Sequence, residues 1–188
     1  TPEEYHGLTG VRYDMPHYDW PDYRPVLEDG ETVDQVQARY GALLKMCDDS
    51  LGRLLDRMDA GDMWKDTILI VCTDHGLLIG ERDWYGKNVQ PWYEETIHTP
   101  LFVWDPVSGN QGTRDDALVQ TVDFAATFLD AFGLEPTPDM QSRSILKRLR
   151  TGAPVREIAL FGIFGGHVSI TDGRYVYMRA CATPQNRP

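Results

Sequence analysis

The sequence predicts a layered α/β fold, a mixed sheet flanked by helices, with the start of a small antiparallel element near its C-terminus. Two observations carry this. Residues 67–73 and 100–104 are short, nearly all-apolar runs, and helical patterns lie on either side of them at 33–59 and 121–132. Helix, buried strand, loop, buried strand, helix is the rhythm of packed α/β layers. The expected organisation is residues 1–155 as α/β domain and 156–188 as the beginning of a small antiparallel subdomain.

Residues 1–31 are rich in Pro, Tyr, Asp and His and read as an extended loop, because Pro removes donors and biases its predecessor away from helix. A loop of that length inside a domain is usually functional or borrowed from a larger structure. Its aromatics suit either covering a cleft or anchoring the loop to the body. Thr32-Val33-Asp34-Gln35 has the form of a capping box, so a helix is expected from Val33 to Asp59. Val33, Val36, Tyr40, Leu43, Leu44, Cys47, Leu51, Leu54, Leu55 and Met58 then recur at helical spacing and predict one buried stripe. Ala60-Gly61-Asp62 supplies the stop.

Thr67–Thr73 is apolar and β-branched, as expected of a central strand buried on both faces. Pro100–Trp104 reads as a second such strand, closed by Asp105-Pro106. The helix over 121–132 ends at Gly133, and a short basic helix over 144–150 ends at Thr151-Gly152. Three strand candidates follow at 158–161, 167–171 and 175–178, the last two flanking the turn signal Asp172-Gly173.

The chain has 188 residues, 41% hydrophobic and 25% charged, as in ordinary soluble domains. Its net charge of −11 argues against a general nucleic-acid binder, which needs a basic footprint. No apolar stretch approaches the ~20 residues of a membrane helix, and no leader opens the chain, which leaves the compartment unknown. Cys47, Cys72 and Cys181 form no CxxC pair and no Cys/His cluster; the first two read as small buried hydrophobes.

Asp74-His75-Gly76, at the end of the first apolar strand, is the most informative motif. Ligands in open α/β sheets gather at the carboxyl ends of strands. A hard carboxylate beside an imidazole suits a divalent metal, but two protein ligands do not close a site. The same three residues equally suit a turn in which the Asp caps the next segment. Lys87, after Gly86 and framed by Trp84, Tyr85, Trp92 and Tyr93, offers a cation that would stabilise charge on a sulfuryl or phosphoryl oxygen; an exposed surface lysine is the alternative. His98 suits a satisfied structural imidazole or a proton-transfer and substrate-binding group. His167 reads as structural, with cleft lining as the lesser alternative. Walker-type and GxSxG motifs are missing, and no convincing nucleophile is present.

Residues 40–104 resemble the C-terminal half of the catalytic domain of sulfatases, within the alkaline phosphatase superfamily. The matching stretches are Asp48-Asp49-Ser50-Leu51-Gly52 before Asp66–Val71, then Thr73-Asp74-His75-Gly76 with Gly80-Glu81-Arg82, then Gly86-Lys87 with Tyr93-Glu94-Glu95 and Thr99-Pro100-Leu101. Weaker similarity continues through Val122-Asp123, Ser144-Ile145-Leu146 and the hairpin at 172–177. The resemblance implies an alkaline-phosphatase-like sheet, seen here as a partial domain. It implies that Asp74 and His75 ligate a divalent metal (Ca, Mg or Mn) and that Lys87 contacts the transferred group. A formylglycine nucleophile is implied upstream, in a missing N-terminal half that would be this chain's partner. Sulfate esters are the implied substrates. His75, where many sulfatases place Asn, leaves a phosphonate or phosphate ester hydrolase as the alternative. A non-catalytic module that keeps the fold is a third reading, and neither nucleic acid nor membrane is an expected partner.

Overall fold

The computed structural model describes residues 24–87, 92–163, 166–180 and 182. Most of the N-terminal loop expected over 1–31, together with Cys181, lies outside the described residues. The chain divides into two compact units, one built from residues 1–64 and 75–99, the other from 65–74 and 100–188.

In the first unit a two-residue strand, β1 (Arg24–Pro25), precedes the 31-residue helix α1 (Gly30–Ala60). The helix starts earlier than expected, and Thr32 does not cap it. Asp29 is extended and its carboxylate accepts from the Thr32 amide at 2.9 Å, while the Asp29 carbonyl accepts from Val33 at 3.1 Å. A carboxylate there satisfies an orphan donor and favours the positive end of the helix. Gly61 ends α1 in a right-handed conformation, and the left-handed turn falls on Asp62 (φ 51°).

The apolar stripe of α1 is less covered than expected. Ala42 and Met58 are buried, but Leu43 and Leu44 are each 60% exposed, and Tyr40, Leu54 and Cys47 are exposed too. The unit's sheet explains this, because it meets α1 through the first turns: the Gln37 amide donates to the Ile79 carbonyl at 3.1 Å, and Val33 faces Gly80. That sheet joins β1, β2 (Leu78–Ile79) and β3 (Trp84–Gly86) with β3 in the middle, both pairings antiparallel. A single helical turn, α2 (Glu94–Ile97), follows. The loop read between the two apolar strands thus holds a hairpin and a helical turn.

In the second unit β4 (Leu69–Cys72) pairs antiparallel with β5 (Leu101–Trp104), Leu69 opposite Trp104 and Cys72 opposite Leu101. Both strands appear where expected, but β4 is not buried on both faces: its residues are half-buried and Cys72 is exposed, as is Phe102 at 67%. A two-stranded ladder has two edges and covers little of either face. Helices α3 (Asp123–Ala131) and α4 (Ile145–Thr151) match their predicted ranges closely. The Ser144 hydroxyl caps α4, and Gly133 and Gly152 take the left-handed conformation just past each helix. Ala126, Ile145, Leu146 and Val155 form their shared core; a fully buried Leu such as Leu146 contributes about 1.5–3 kcal/mol.

Asp123 knots this unit together. Fully buried, it accepts from the backbone amides of Gln120 (2.9 Å) and Arg143 (3.0 Å), and from the Arg156 guanidinium through Nε (2.9 Å) and through Nη2. Asp105, just after β5, takes two bonds from Arg150 of α4 at 2.7 and 3.1 Å. Burial pushes its carboxyl up, but Arg150 and the Val107 amide together outweigh that and leave it below the usual carboxylate range. The three final strands, β6 (Ala159–Gly162), β7 (Val168–Thr171) and β8 (Val176–Arg179), form an antiparallel meander. Asp172 Oδ1 accepts from the amides of Arg174 and Tyr175 to close the predicted turn, with Gly173 at φ 88°. No helix among the described residues is long and apolar enough to cross a membrane.

Candidate active site

The first unit builds its site on the β2–β3 hairpin. Leu78 and Tyr85 are buried at 0% and 5% exposure and anchor it, with Ile79 opposite Tyr85 in the ladder. The turn between the strands is tight. Gly80 takes φ 110°, the Glu81 carboxylate accepts from the Ile79 amide at 2.6 Å, and Arg82 and Asp83 both adopt left-handed conformations (φ 58° and 59°). Arg24 of β1 lies over the Tyr85 ring at 5.4 Å and pairs with Glu28, holding that carboxyl down at about 2. Lys87 comes directly after Gly86, the last residue of β3, so the ladder fixes where its backbone emerges.

His75 reaches the same place from the other side of the unit. The Gly76 amide donates to the Thr96 carbonyl of α2 at 2.8 Å. A methyl on Gly76 would sit 1.8 Å from the Glu95 carbonyl oxygen, so only glycine permits this approach. The His75 imidazole is half-buried, with Nδ1 2.9 Å from the Gly76 carbonyl oxygen and Nε2 2.8 Å from the Lys87 ammonium nitrogen. A carbonyl only accepts and an ammonium only donates, so the ring carries its proton on Nδ1 and offers a lone pair at Nε2. A neutral imidazole with its proton on Nδ1 is the tautomer a metal ligand through Nε2 requires, and Lys87 would have to release that nitrogen for an ion to take it.

Asp74 belongs to the second unit, two residues beyond β4, and is exposed, with the Thr73 hydroxyl donating to Oδ1 at 3.3 Å. The boundary between the units falls between Asp74 and His75. Carboxylate and imidazole are hard or borderline donors that suit a divalent ion as part of a ligand set. Among the described residues, no group of three or more His, Cys, Asp or Glu side chains could hold a metal alone. His98 caps the end of α2 with its side chain 79% exposed, paired through Nδ1 with Glu94 at 2.8 Å. His167 is half-buried in the second unit, where its carbonyl oxygen would lie 2.2 Å from a methyl on Gly162.

Reading the sequence missed the supports of this site. Glu95 and Thr96 carried no expectation, although a helical turn before Thr99-Pro100 is what a following proline permits. The hairpin was missed too, since the segment was read as a loop; its signal was two short apolar runs flanking Gly80-Glu81-Arg82-Asp83.

Comparison with known proteins agrees over most of the chain. The sulfatase family model matches residues 4–134. An N-acetylglucosamine-6-O-sulfatase of Bacteroides thetaiotaomicron is 33% identical over 111 residues, covering 59% of this chain and 20% of that protein. The structure of BT4656 in complex with its substrate D-glucosamine-2-N,6-O-disulfate superposes with a TM-score of 0.70 at 26% identity, covering 81% of this chain and 34% of the other. The phosphonate monoester hydrolase SpPMH from Silicibacter pomeroyi gives a TM-score of 0.71 at 25% identity, with 82% and 34% covered. The chain therefore spans a fifth to a third of the length of these relatives. Matched across residues 4–134 and sharing its fold with solved members, the chain belongs to the sulfatase family.

Proposed function

We propose that this chain is part of a metal-dependent sulfuric ester hydrolase and supplies its transition-state cation and part of its metal site. The observation that carries the reading is the Lys87 ammonium held 2.8 Å from His75 Nε2, in a chain matching the sulfatase model across both residues. Asp74 and His75 would hold the metal (Ca, Mg or Mn), which when bound supplies Lewis-acid stabilisation of charge on the reacting oxygens. Lys87 supplies a positive charge to a sulfuryl oxygen as negative charge develops on it. Gly76 holds the imidazole through its carbonyl and keeps the proton on Nδ1, so Nε2 would serve the metal once the Lys87 ammonium turns from it to the substrate. The nucleophile, a formylglycine by family resemblance, comes from chain outside these residues, and His98 is at most a peripheral substrate contact.

The exposed leucines of α1 support a larger catalytic domain: a face with Leu43 and Leu44 at 60% exposure suits cover by the rest of that domain. A phosphonate or phosphate ester is the second reading, favoured by the similarity to the Silicibacter pomeroyi hydrolase.

Aryl sulfate and phosphonate monoester hydrolysis by the intact protein tests both. We expect sulfate turnover to dominate, and Lys87→Ala to lower kcat by roughly a hundredfold or more. The isolated 188-residue chain should turn over neither ester. Turnover by the isolated chain, or a Lys87→Ala enzyme within twofold of the parent, would overturn the assignment.

A further inference from the structure

We propose that Arg82 is a positioning residue that sets the contact between Lys87 and His75, which it does not itself touch. This rests on the reading of that pair as catalytic machinery.

Four residues other than glycine have positive φ among the described residues, and three of them, Arg82, Asp83 and Trp92, lie on either side of Lys87. The fourth, Asp62, closes α1. Side chains with a Cβ are disfavoured in this region, and such conformations persist where the surroundings over-determine them, commonly at functional sites. Arg82 has φ 58° and ψ 22°.

The Arg82 side chain has two partners that favour this conformation. The guanidinium carbon lies 5.1 Å from the centre of the Tyr93 ring, and Nη2 is 3.3 Å from Glu95 Oε1. Both partners are on or next to the helical turn: Tyr93 is its N-cap and Glu95 lies within it. The same turn presents the Thr96 carbonyl that fixes the Gly76 amide, and so the backbone carrying His75. Arg82 itself sits in the hairpin turn, and the strand it leads into, β3, delivers Lys87. One side chain therefore ties the support of the ammonium to the support of the imidazole.

A purely structural role accounts for this less well. The Arg82–Glu95 pair is half in solvent, with side-chain exposures of 53% and 31%, and pairs of that kind add little to stability. Arginine is also the side chain suited to the two contacts together, because its flat guanidinium lies on a ring face while one edge meets a carboxylate. Lysine offers only a point charge.

The test compares Arg82→Ala and Arg82→Lys with the parent in the full protein, reading the imidazole nitrogens of His75 by NMR after metal removal with a chelator, with His75→Gln for assignment, and reading kcat with metal restored. The parent should show one Nδ1-protonated tautomer. Both variants should shift Nε2 and mix the tautomers, and both should lower kcat on an aryl sulfate by roughly ten- to a hundredfold with KM near the parent value. If Arg82→Ala does not fold, Tyr93→Leu combined with Glu95→Gln loosens the same grip from the other side and should move the same signals. Unchanged His75 nitrogens in whichever variant folds would overturn the proposal. A parent enzyme without sulfate ester activity would instead sink the functional reading, and the NMR comparison would still decide the role of Arg82.

Discussion

Replacing Gly76 by Ala would put a methyl carbon 1.8 Å from the Glu95 carbonyl oxygen, 2.8 Å from the Glu95 carbonyl carbon and 3.0 Å from the Thr96 Cα. Every one of these neighbours is backbone, so no side chain can swing aside. Relief requires the segment after His75 and the turn of α2 to part by more than about 1 Å, given the steepness of close-range repulsion. Parting breaks the 2.8 Å bond from the Gly76 amide to the Thr96 carbonyl, at a residue only 5% exposed. A lost buried hydrogen bond costs about 1–3 kcal/mol, and overpacking adds about 1–3 kcal/mol. The expected destabilisation is therefore about 2–5 kcal/mol, a large share of the ~5–15 kcal/mol that holds a domain together. Urea unfolding followed by circular dichroism measures it. Gly41→Ala is the control: it lies within α1 and an added methyl meets nothing within 4 Å, so it should stabilise by about 0.5–1 kcal/mol. A Gly76→Ala midpoint equal to the parent's, with unchanged slope, would refute the steric account.

Asp105 makes the fold sensitive to acid with a defined sign. Its carboxyl sits below the ordinary value, so the stabilisation from Arg150 is complete above about pH 4 and is lost as pH falls through the lowered value. Asp105→Asn should lose roughly 1.5–3 kcal/mol near pH 7 and flatten the acid limb of the stability curve; an identical limb in both proteins would contradict this. Asp123→Ala should cost about 3–5 kcal/mol by leaving the Arg156 guanidinium buried without its carboxylate. Adding Arg156→Met should recover part of that loss in the same melts, and strict additivity of the two changes would count against the knot.

The elements that follow a strong local period were legible. Helices α3 and α4 were read from periodicity and from Gly133 and Gly152, and the final hairpin from Asp172-Gly173, because these signals act within a few residues. The start of α1 was misplaced because two capping candidates three residues apart compete, and the carboxylate of Asp29 prevailed over the Thr32 hydroxyl. Burial was misread for Cys47, Cys72 and the leucines of α1, since apolar periodicity announces a face meant for packing but not what lies against it. At the site, Lys87 and His75 were read as neighbours from their residue types and a family likeness. What joins them, a glycine touching a distant backbone and an arginine in a left-handed turn, depends on contacts that no local pattern encodes.

In the isolated 188-residue chain, where nothing covers them, the leucines along α1 also bear on how copies behave towards each other. A charge of −11 sets up mutual repulsion that keeps such greasy surfaces apart in dilute buffer. Added electrolyte shortens that repulsion to about 3 Å at molar concentration, while leaving the attraction between apolar faces intact. Colloidal behaviour is then set by ionic strength, with precipitation favoured in strong brine and dispersion in weak buffer.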